Sequence, residues 1–287
     1  MDKPAGWTSH DVVGRIRRLT GERRVGHAGT LDPAATGVLP VAVGSATRVL
    51  EFVSDAAKSY VAEITFGVET DTFDADGQVT GVKDPSALDL TEVARVLQAF
   101  LGSQRQVPPM YSAVRVGGRR LYEEARQGKT VDRPARPVVF HQLDVLAWDP
   151  PTVTVYVECS KGTYVRSLAQ DLGVALGVGA HLSALVRMKA GVFTLCQAWT
   201  LQELAGLDLA SVWAEVALHP DVVLDEWPAL ILNDAGANDW SRGNAVAALR
   251  MEERCRVYDE EGEWLGVGAG HPETQAWRPT KVTAVAP

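Results

Sequence analysis

The residues best suited to catalysis lie in one short stretch, GHAGTLDPAATGVLP, at positions 26–40. It holds a single carboxylate, Asp32, and Pro33 follows it directly and restricts the backbone there. Its glycines permit positive φ angles or close backbone approach. An isolated Asp-Pro pair is typical of a turn, but the glycines, His27 and Thr30 around this one indicate a rigid loop that presents one acid.

A second group of side chains that could take part in catalysis is predicted at the start of a helix. Residues 152–159 alternate polar and apolar side chains as a strand does, and Gly162-Thr163 then begins a helix with apolar residues at helical spacing. This arrangement places Tyr164 and Arg166 in the first helical turn, above the end of a strand. Catalytic groups are common at that position.

The remaining pattern supplies the elements that would hold these residues. Ser9 is a plausible N-cap for a first helix that stops at Gly21, and residues 91–101 form another helix. Residues 58–67 alternate apolar and polar side chains and predict a strand with Tyr60 on its buried face. The stretch from Gly26 onwards is expected to be an ordered loop.

Charge is unevenly distributed along the chain. The net charge of −8 argues at first against a nucleic-acid partner, because polyanions are bound through their phosphates. Residues 104–137, however, carry eight basic and three acidic residues, while acid is concentrated at 69–92 and 203–263. Within this basic insertion Gly117-Gly118 predicts a hairpin, followed by a short helix. We expect the insertion to project from the domain.

Composition excludes several protein classes. The three cysteines, Cys159, Cys196 and Cys255, lie far apart without a CxxC pair, so neither a disulfide framework nor a thiolate zinc site is indicated. The N-terminus lacks the apolar segment of a signal peptide, and no stretch is apolar enough to span a membrane. These features favour a soluble, cytoplasmic protein. Past Val223, short segments separated by Asp, Glu and Gly predict a small β-barrel.

Five ordered motifs resemble the TruB-type tRNA pseudouridine synthases, and the resemblance covers nearly the whole chain. They are DKPAGWTSHDVVGRIRR, GHAGTLDPAATGVLPVAVGSATR, KSYVAEITFGVETDTFDADG, QVPPMYSAVRVGGRRLYEEARQG, and KGTYVRSLAQDLG with HLSALVRMKAGVF. The tail, with GNAV, WLGVGAG and RPTKV, resembles a PUA-type RNA-binding domain. The resemblance implies an α+β fold with a mixed, mainly antiparallel central sheet, flanking helices and a small C-terminal β-barrel. It implies a catalytic domain at 1–223 and a PUA-like domain at 224–287.

The resemblance also implies the reaction and its catalytic residues. Uridine would be isomerised to pseudouridine at position 55 of the tRNA T loop, with Asp32 as the catalytic aspartate. Arg166 corresponds to the arginine that pairs with it, and Tyr60 to the tyrosine that lies against the uracil. A carboxylate can assist departure of a sugar carbon without a metal, flavin or nucleotide, so no cofactor is expected.

Other residues would bind the substrate. Tyr164 and Leu185 align with residues that complete the uracil pocket, His27 with one that fills the space left by a flipped base, and Lys3 with a motif that packs near the site or touches phosphate. The basic insertion would grip the RNA through phosphate and shape. Its candidate contacts are Arg115, Arg119, Arg120, Arg126 and Lys129.

Two other functions fit the same scaffold. One is a pseudouridine synthase that works only inside a guide-RNA particle, and the other is a non-catalytic RNA-folding chaperone. The chain stops shortly after PTKV, which favours a stand-alone enzyme without an obligate protein partner. The presence of Asp32, Tyr60 and Arg166 together favours catalysis over a pure chaperone.

Overall fold

The structure, a computed structural model, describes residues 1–112, 115–116, 119–120, 131–247 and 252–283. The chain folds into two compact units, each built from several segments. The first consists of Met1–Val12, Thr30–Leu39 and Asp55–Leu201, and the second of Val13–Gly29, Pro40–Ser54 and Gln202–Pro287. No helix in the described part of the chain is long and apolar enough to cross a membrane.

The first unit is organised around one mixed sheet. Its strand order is Asp2–Lys3, Thr36–Val38, Ala180–Ala190, Lys58–Phe66, Thr152–Cys159, Arg136–Asp149 and Gly102–Gln106, with Phe193–Thr194 paired to Ala180–Ala190. Thr36–Val38 and Ala180–Ala190 run parallel, and the other pairs are antiparallel. A separate hairpin joins Val68–Thr70 to Val79–Val82. The predicted mixed, mainly antiparallel sheet is confirmed.

Side-chain alternation explains which face of this sheet is buried. Ala62, Ile64 and Phe66 on one strand are 1% exposed or less, and so are Val153 and Val155 on its neighbour. Burying one face of each strand while the backbone groups pair across the sheet is the usual way to build such a core. Both strands occur within a residue of their predicted positions.

Helices flank the strands. The α-helices are Ser9–Thr20, Leu50–Asp55, Leu90–Gln98, Val165–Ala175, Leu201–Ala205, Leu209–Val216 and Asp234–Ser241, and the 3₁₀ helices are Gly44–Val49, Leu195–Gln197 and Pro220–Leu224. The prediction that Ser9 caps the first helix is wrong. Thr8, not Ser9, caps it, because the Asp11 N–H donates to Thr8 Oγ1 at 3.1 Å and the Thr8 N–H donates to Asp11 Oδ2 at 2.9 Å.

The stretch that begins at Gly26 is more regular than the expected loop. Val25–His27 pairs with Val41–Val43 in a two-stranded ladder, and Thr36–Val38 joins the central sheet. Gly37 permits the second pairing, because it has φ +96° and a Cβ there would overlap the backbone of Arg187. Small residues therefore allow strands to approach closely here. Residues 28–35 remain irregular and carry Asp32.

The second unit contains a five-stranded sheet near the C-terminus. Its order is Ala229–Leu232, Arg254–Asp259, Trp264–His271, Ala276–Val282 and Val246–Ala247. The first pair is parallel and the others are antiparallel. Trp240 on the helix Asp234–Ser241 is fully buried in its core with Cys255 and Val257. This sheet corresponds to the small β-barrel expected from the sequence.

A candidate active site around Asp32

The loop that carries Asp32 is held by the N-terminal segment. Ser9 Oγ accepts a hydrogen bond from the Leu31 N–H at 2.9 Å, and the Gly6 N–H donates to the carbonyl oxygen of Pro33 at 2.9 Å. The Ala35 N–H donates to the Asp32 carbonyl at 3.1 Å and closes a tight turn. Backbone atoms on both sides of Asp32 are therefore fixed, so the carboxylate has a defined position.

Lys3 contributes to the same anchoring. It is fully buried, and its Nζ donates to the carbonyl oxygens of Pro4, Trp7 and Pro33 at 2.9, 2.6 and 3.0 Å. An ammonium group has three hydrogens to donate, so these carbonyls use its full capacity. Burial lowers the pKa of Lys3, while the nearby Asp32 carboxylate raises it.

Arg166 pairs with Asp32, as the sequence predicts. It lies in the first turn of the helix Val165–Ala175, and its side chain is 5% exposed. Its Nε is 3.0 Å from Asp32 Oδ2 as a charge contact without hydrogen-bond alignment, and its Nη2 donates to Asp32 Oδ1 at 3.4 Å. The same Nη2 donates to the Tyr111 carbonyl at 2.8 Å. The guanidinium is thus held from several sides.

Asp74 is a second acidic partner of Arg166 that the sequence analysis missed. Its Oδ2 lies 3.2 Å from Arg166 Nη1, which also donates to the Thr72 carbonyl at 3.2 Å. The loop around Asp74 is fixed to the central sheet, because the Leu182 N–H donates to the Phe73 carbonyl and the Ala75 N–H to the Leu182 carbonyl. Phe73 adopts a strained φ of +64° there. Arg166 therefore links two carboxylates.

Opposing effects set the protonation of Asp32. Burial raises the pKa of Asp32 above its ordinary value, the Arg166 guanidinium lowers it, and the Asp74 carboxylate raises it. The Asp32 side chain nevertheless keeps 44% of its surface exposed. A substrate can therefore reach this carboxylate, and the Arg166 guanidinium opposes the effect of burial on its pKa.

Tyr60 lies in the same buried core as Leu31 of the Asp32 loop and is hydrogen-bonded to a buried arginine. It is 8% exposed and stands opposite Arg187 on the neighbouring strand, and the Arg187 guanidinium donates a hydrogen bond to its hydroxyl. Arg187 is 1% exposed, and its Nε donates to the Val38 carbonyl at 2.7 Å. Burial raises the pKa of Tyr60, while Arg187 lowers it. Arg187 thus connects Tyr60 to the strand that follows the Asp32 loop.

Comparisons with known proteins give the family of this chain. A model described as the TruB family pseudouridylate synthase N-terminal domain matches residues 17–165. Models for the tRNA pseudouridylate synthase B C-terminal domain and the pseudouridine synthase II TruB C-terminal region match residues 166–221 and 228–274. The chain belongs to the TruB family of pseudouridine synthases.

Several similar proteins are named tRNA pseudouridine synthase B. A tRNA pseudouridine synthase B of Saccharophagus degradans is 43% identical over 279 residues, covering 93% of this chain and 89% of the relative. The protein of that name from Bacillus licheniformis is 40% identical over 295 residues, covering 98% and 96%. A chain in the crystal structure of a Cbf5-Nop10-Gar1 complex has a TM-score of 0.73 at 27% identity, covering 99% of this chain and 84% of that one. The pseudouridine synthase fold is therefore confirmed.

Two further predicted residues of this TruB family member lie in the same unit as Asp32. Tyr164 immediately precedes the helix of Arg166, and its backbone N–H and carbonyl bond to the side chain of Gln106 at 2.7 and 2.9 Å. Burial raises the pKa of Tyr164, and the charges of Arg166 and Asp32 also act on it. Leu185 pairs with Ala62 across the sheet and packs against the core. Strand periodicity places Leu185 on the same face as Arg187.

The remaining predicted site residues are His27 and the basic residues of the insertion. His27 is half-buried on the strand Val25–His27 in the second unit. The predicted hairpin is present, since Arg119 pairs with Val116 and Arg120 with Arg115. Arg126, Lys129 and the short helix expected after the hairpin lie outside the described residues.

Sequence reasoning missed Asp74 and Arg187 for different reasons. Asp74 lies among Asp71 and Asp76, and nothing in the sequence distinguishes the three carboxylates. Arg187 had a usable signal, since it follows Leu185 by two positions and a strand places such residues on one face. Among the described residues, no group of three or more His, Cys, Asp or Glu side chains is placed to hold a metal ion.

Proposed function

We propose that this TruB family enzyme isomerises uridine to pseudouridine at position 55 in the T loop of tRNA, with Asp32 as its essential carboxylate. The observation that carries the proposal is the ion pair between Asp32 and Arg166 in a chain of this family. Curated relatives 40–43% identical to it, which it covers nearly end to end, are named tRNA pseudouridine synthase B.

The reaction requires a group that can stabilise a sugar carbon. The bond between N1 and C1′ breaks, the uracil rotates, and C5 bonds to C1′. The proton on C5 then leaves and N1 takes up a proton, so the reaction is redox-neutral. Asp32 acts either as nucleophile or by stabilising positive charge on the sugar, as carboxylates do in glycoside cleavage. Such chemistry needs no metal or redox cofactor.

Arg166 keeps Asp32 ionised and correctly oriented in this mechanism. A guanidinium is planar and permanently charged, so it can bind two carboxylates at once. We assign Asp74 the role of holding the far side of the guanidinium. Lys3 holds the Asp32 loop through Pro33 rather than binding a phosphate, because its three donors are used by carbonyls.

Tyr60 stacks on the target uracil and directs its hydroxyl towards C5, where a proton must be lost. Arg187 fixes that hydroxyl. Tyr164 and Leu185 complete the uracil pocket. The target base must leave the folded T loop to reach these residues, at a cost of a few kcal/mol in lost stacking. His27 fills the vacated space, and the insertion that carries Arg115, Arg119, Arg120, Arg126 and Lys129 grips the RNA.

We further propose that the enzyme acts alone in the cytoplasm, on tRNA and without a guide RNA. The relatives named tRNA pseudouridine synthase B are 39–55% identical to this chain, whereas the chain of the Cbf5-Nop10-Gar1 complex is 27% identical. The domain boundary near Val223 belongs to the same proposal, with residues 224–287 as a PUA-like RNA-binding domain.

Tritium release provides the test. Purified protein is incubated with an unmodified T-arm stem-loop that carries tritium at uracil C5, with no other macromolecule added. Wild type should release tritium, and Asp32→Asn should lower the rate by at least about 10⁴-fold while RNA binding is retained. Tight binding without release by wild type would reject the stand-alone enzyme.

A further inference from the structure

Five arginines that the proposed active site does not use lie on neighbouring segments of the second unit and are here called the arginine patch. Two lie on the helix Ser9–Thr20, two in the loop after it, and one on the 3₁₀ helix Gly44–Val49. They are Arg15, Arg18, Arg23, Arg24 and Arg48. Arg18, Arg23 and Arg24 are exposed, and the other two are half-buried.

Backbone contacts hold these segments together. The Gly44 N–H donates to the Arg24 carbonyl at 2.7 Å, which joins the loop to the start of the 3₁₀ helix. Arg17 Nη2 donates to the Val25 carbonyl at 3.0 Å and ties the end of the first helix to the next strand. That strand, Val25–His27, pairs with Val41–Val43. The arginine patch therefore stands on a framework with a defined shape.

The arginine patch has a net positive charge in the described part of the chain. None of the ion pairs between described residues involves these five arginines. Residues 13–29 hold five arginines and one glutamate, a net charge of +4. The glutamate, Glu22, is engaged by the Arg24 backbone N–H at 2.7 Å. In the same unit Lys281 and Arg256 do pair with acids, at 2.7 and 3.2 Å.

A purely structural role explains only part of the arginine patch. Cations in the last turn of a helix stabilise its dipole, and this accounts for Arg18. Arg23, Arg24 and Arg48 lie outside that helix. Five uncompensated cations on one small framework would repel one another and destabilise the fold slightly unless a polyanion covers them.

We propose that the arginine patch binds the phosphate backbone of a tRNA stem, as a contact surface in addition to the basic insertion and the PUA-like domain. This inference rests on the proposed function, which makes tRNA the substrate. Arginine suits the task, because its planar guanidinium recognises phosphate with two parallel hydrogen bonds. The surrounding chain makes the patch distinctive, since residues 202–287 carry fifteen acidic and six basic residues. The arginines therefore attract a phosphate backbone to a unit whose remaining charge is mostly acidic.

The experiment compares two triple variants of the full-length protein. One is Arg18→Gln, Arg23→Gln, Arg24→Gln. The control is Lys83→Gln, Arg95→Gln, Lys161→Gln, which removes three exposed cations of the first unit. Each variant lowers the net charge from −8 to −11, so long-range repulsion changes equally. The Kd for full-length unmodified tRNA is measured from about 50 to 200 mM salt, because phosphate contacts make the affinity fall with salt over this range. Thermal unfolding shows whether each variant is folded.

The patch variant should raise the Kd roughly tenfold and lower the slope of log K against log salt by about 2 to 3, about one for each lost phosphate contact. The control variant should leave the slope unchanged. The charge-conserving variant Arg18→Lys, Arg23→Lys, Arg24→Lys should keep most of the wild-type slope, because the slope counts neutralised phosphates. The lysine variant also provides a test if the glutamine variant unfolds. A lower salt slope in the lysine variant would contradict phosphate binding.

Tritium release separates this inference from the proposed function. If wild type releases tritium and the patch variant has the wild-type Kd and slope, the inference is overturned while the enzyme stands. If wild type binds tRNA through the arginine patch but releases no tritium, the inference stands and the proposed function fails. With both correct, the patch variant raises KM about as much as Kd and leaves kcat unchanged.

Discussion

Arg166 lies with its Nε 3.0 Å from the Oδ2 of Asp32, although 134 positions separate the two residues along the chain. The guanidinium reaches Asp32 with one side and Asp74 with the other. Both carboxylates thus depend on one cation that is almost fully buried. Its replacement should affect the orientation and the ionisation of Asp32 together.

Arg166→Lys should lower kcat for tritium release by roughly 10²-fold or more, because a lysine keeps the charge but cannot span two carboxylates. The KM for tRNA should change little, since the Arg166 side chain is only 5% exposed. Single-turnover kinetics with saturating enzyme measure the chemical step directly. Arg95→Lys, on an exposed helix face, is the matched control. A kcat near that of wild type would show that charge alone is sufficient.

The raised pKa of Asp32 predicts the acid limb of the pH profile. Asp32 must be ionised to act, so kcat/KM should fall as the pH drops through its pKa in the folded protein. Burial raises that pKa above the ordinary value of about 3.9, so the limb should appear at a higher pH than an ordinary aspartate gives. Tritium release is measured between pH 4 and 8, with about one measurement per half pH unit, and this locates the midpoint of the acid limb.

Asp74→Asn tests the sign of the electrostatic effect. The Asp74 carboxylate raises the pKa of Asp32, so its removal should move the acid limb to lower pH. The rate on the plateau should also fall, by about 10-fold, because Arg166 loses one of the partners that hold it. A limb that moves upward would contradict the arrangement. Circular dichroism at each pH excludes unfolding as the cause.

Tyr60→Phe separates stacking from hydroxyl chemistry. The ring remains, so KM should stay close to wild type, while kcat should fall by about 10²-fold or more if the hydroxyl directs proton loss from C5. Tyr156→Phe is the control, because Tyr156 pairs with Val61 on the adjacent strand and faces the other side of the sheet. Equal kcat values for the two variants would leave Tyr60 with a stacking role alone.

Gly37→Ala should destabilise the protein by a few kcal/mol, because Gly37 has φ +96° and a Cβ there would overlap the Arg187 backbone. Gly14→Ala is the matched control within the helix Ser9–Thr20. Nothing lies within 4 Å of a Cβ at Gly14, so this change should stabilise by about 0.5–1 kcal/mol. Urea unfolding gives both values. Equal midpoints for the two variants would contradict the close packing at Gly37.

Local patterns were sufficient for much of the fold and for part of the candidate site. Alternation in residues 58–66 and 152–159 identified both central strands and the buried face that carries Tyr60. The residues around Asp32 indicated a rigid loop, and Ser9, Gly6 and Lys3 do hold it. Local patterns did not identify the N-cap of the first helix, because Thr8 and Ser9 are adjacent and both carry a hydroxyl group.

Periodicity and residue type are recorded along the chain, and they are sufficient to assign the strands, the acid loop and the family. Which of three neighbouring aspartates meets Arg166 depends instead on the packing of the whole fold, and it is Asp74. The same packing decided that residues 13–29, with their arginines, join the acidic residues 202–287 in one compact unit. These outcomes depend on contacts between segments tens to hundreds of positions apart, and such contacts arise only when the whole set of strands and helices packs together.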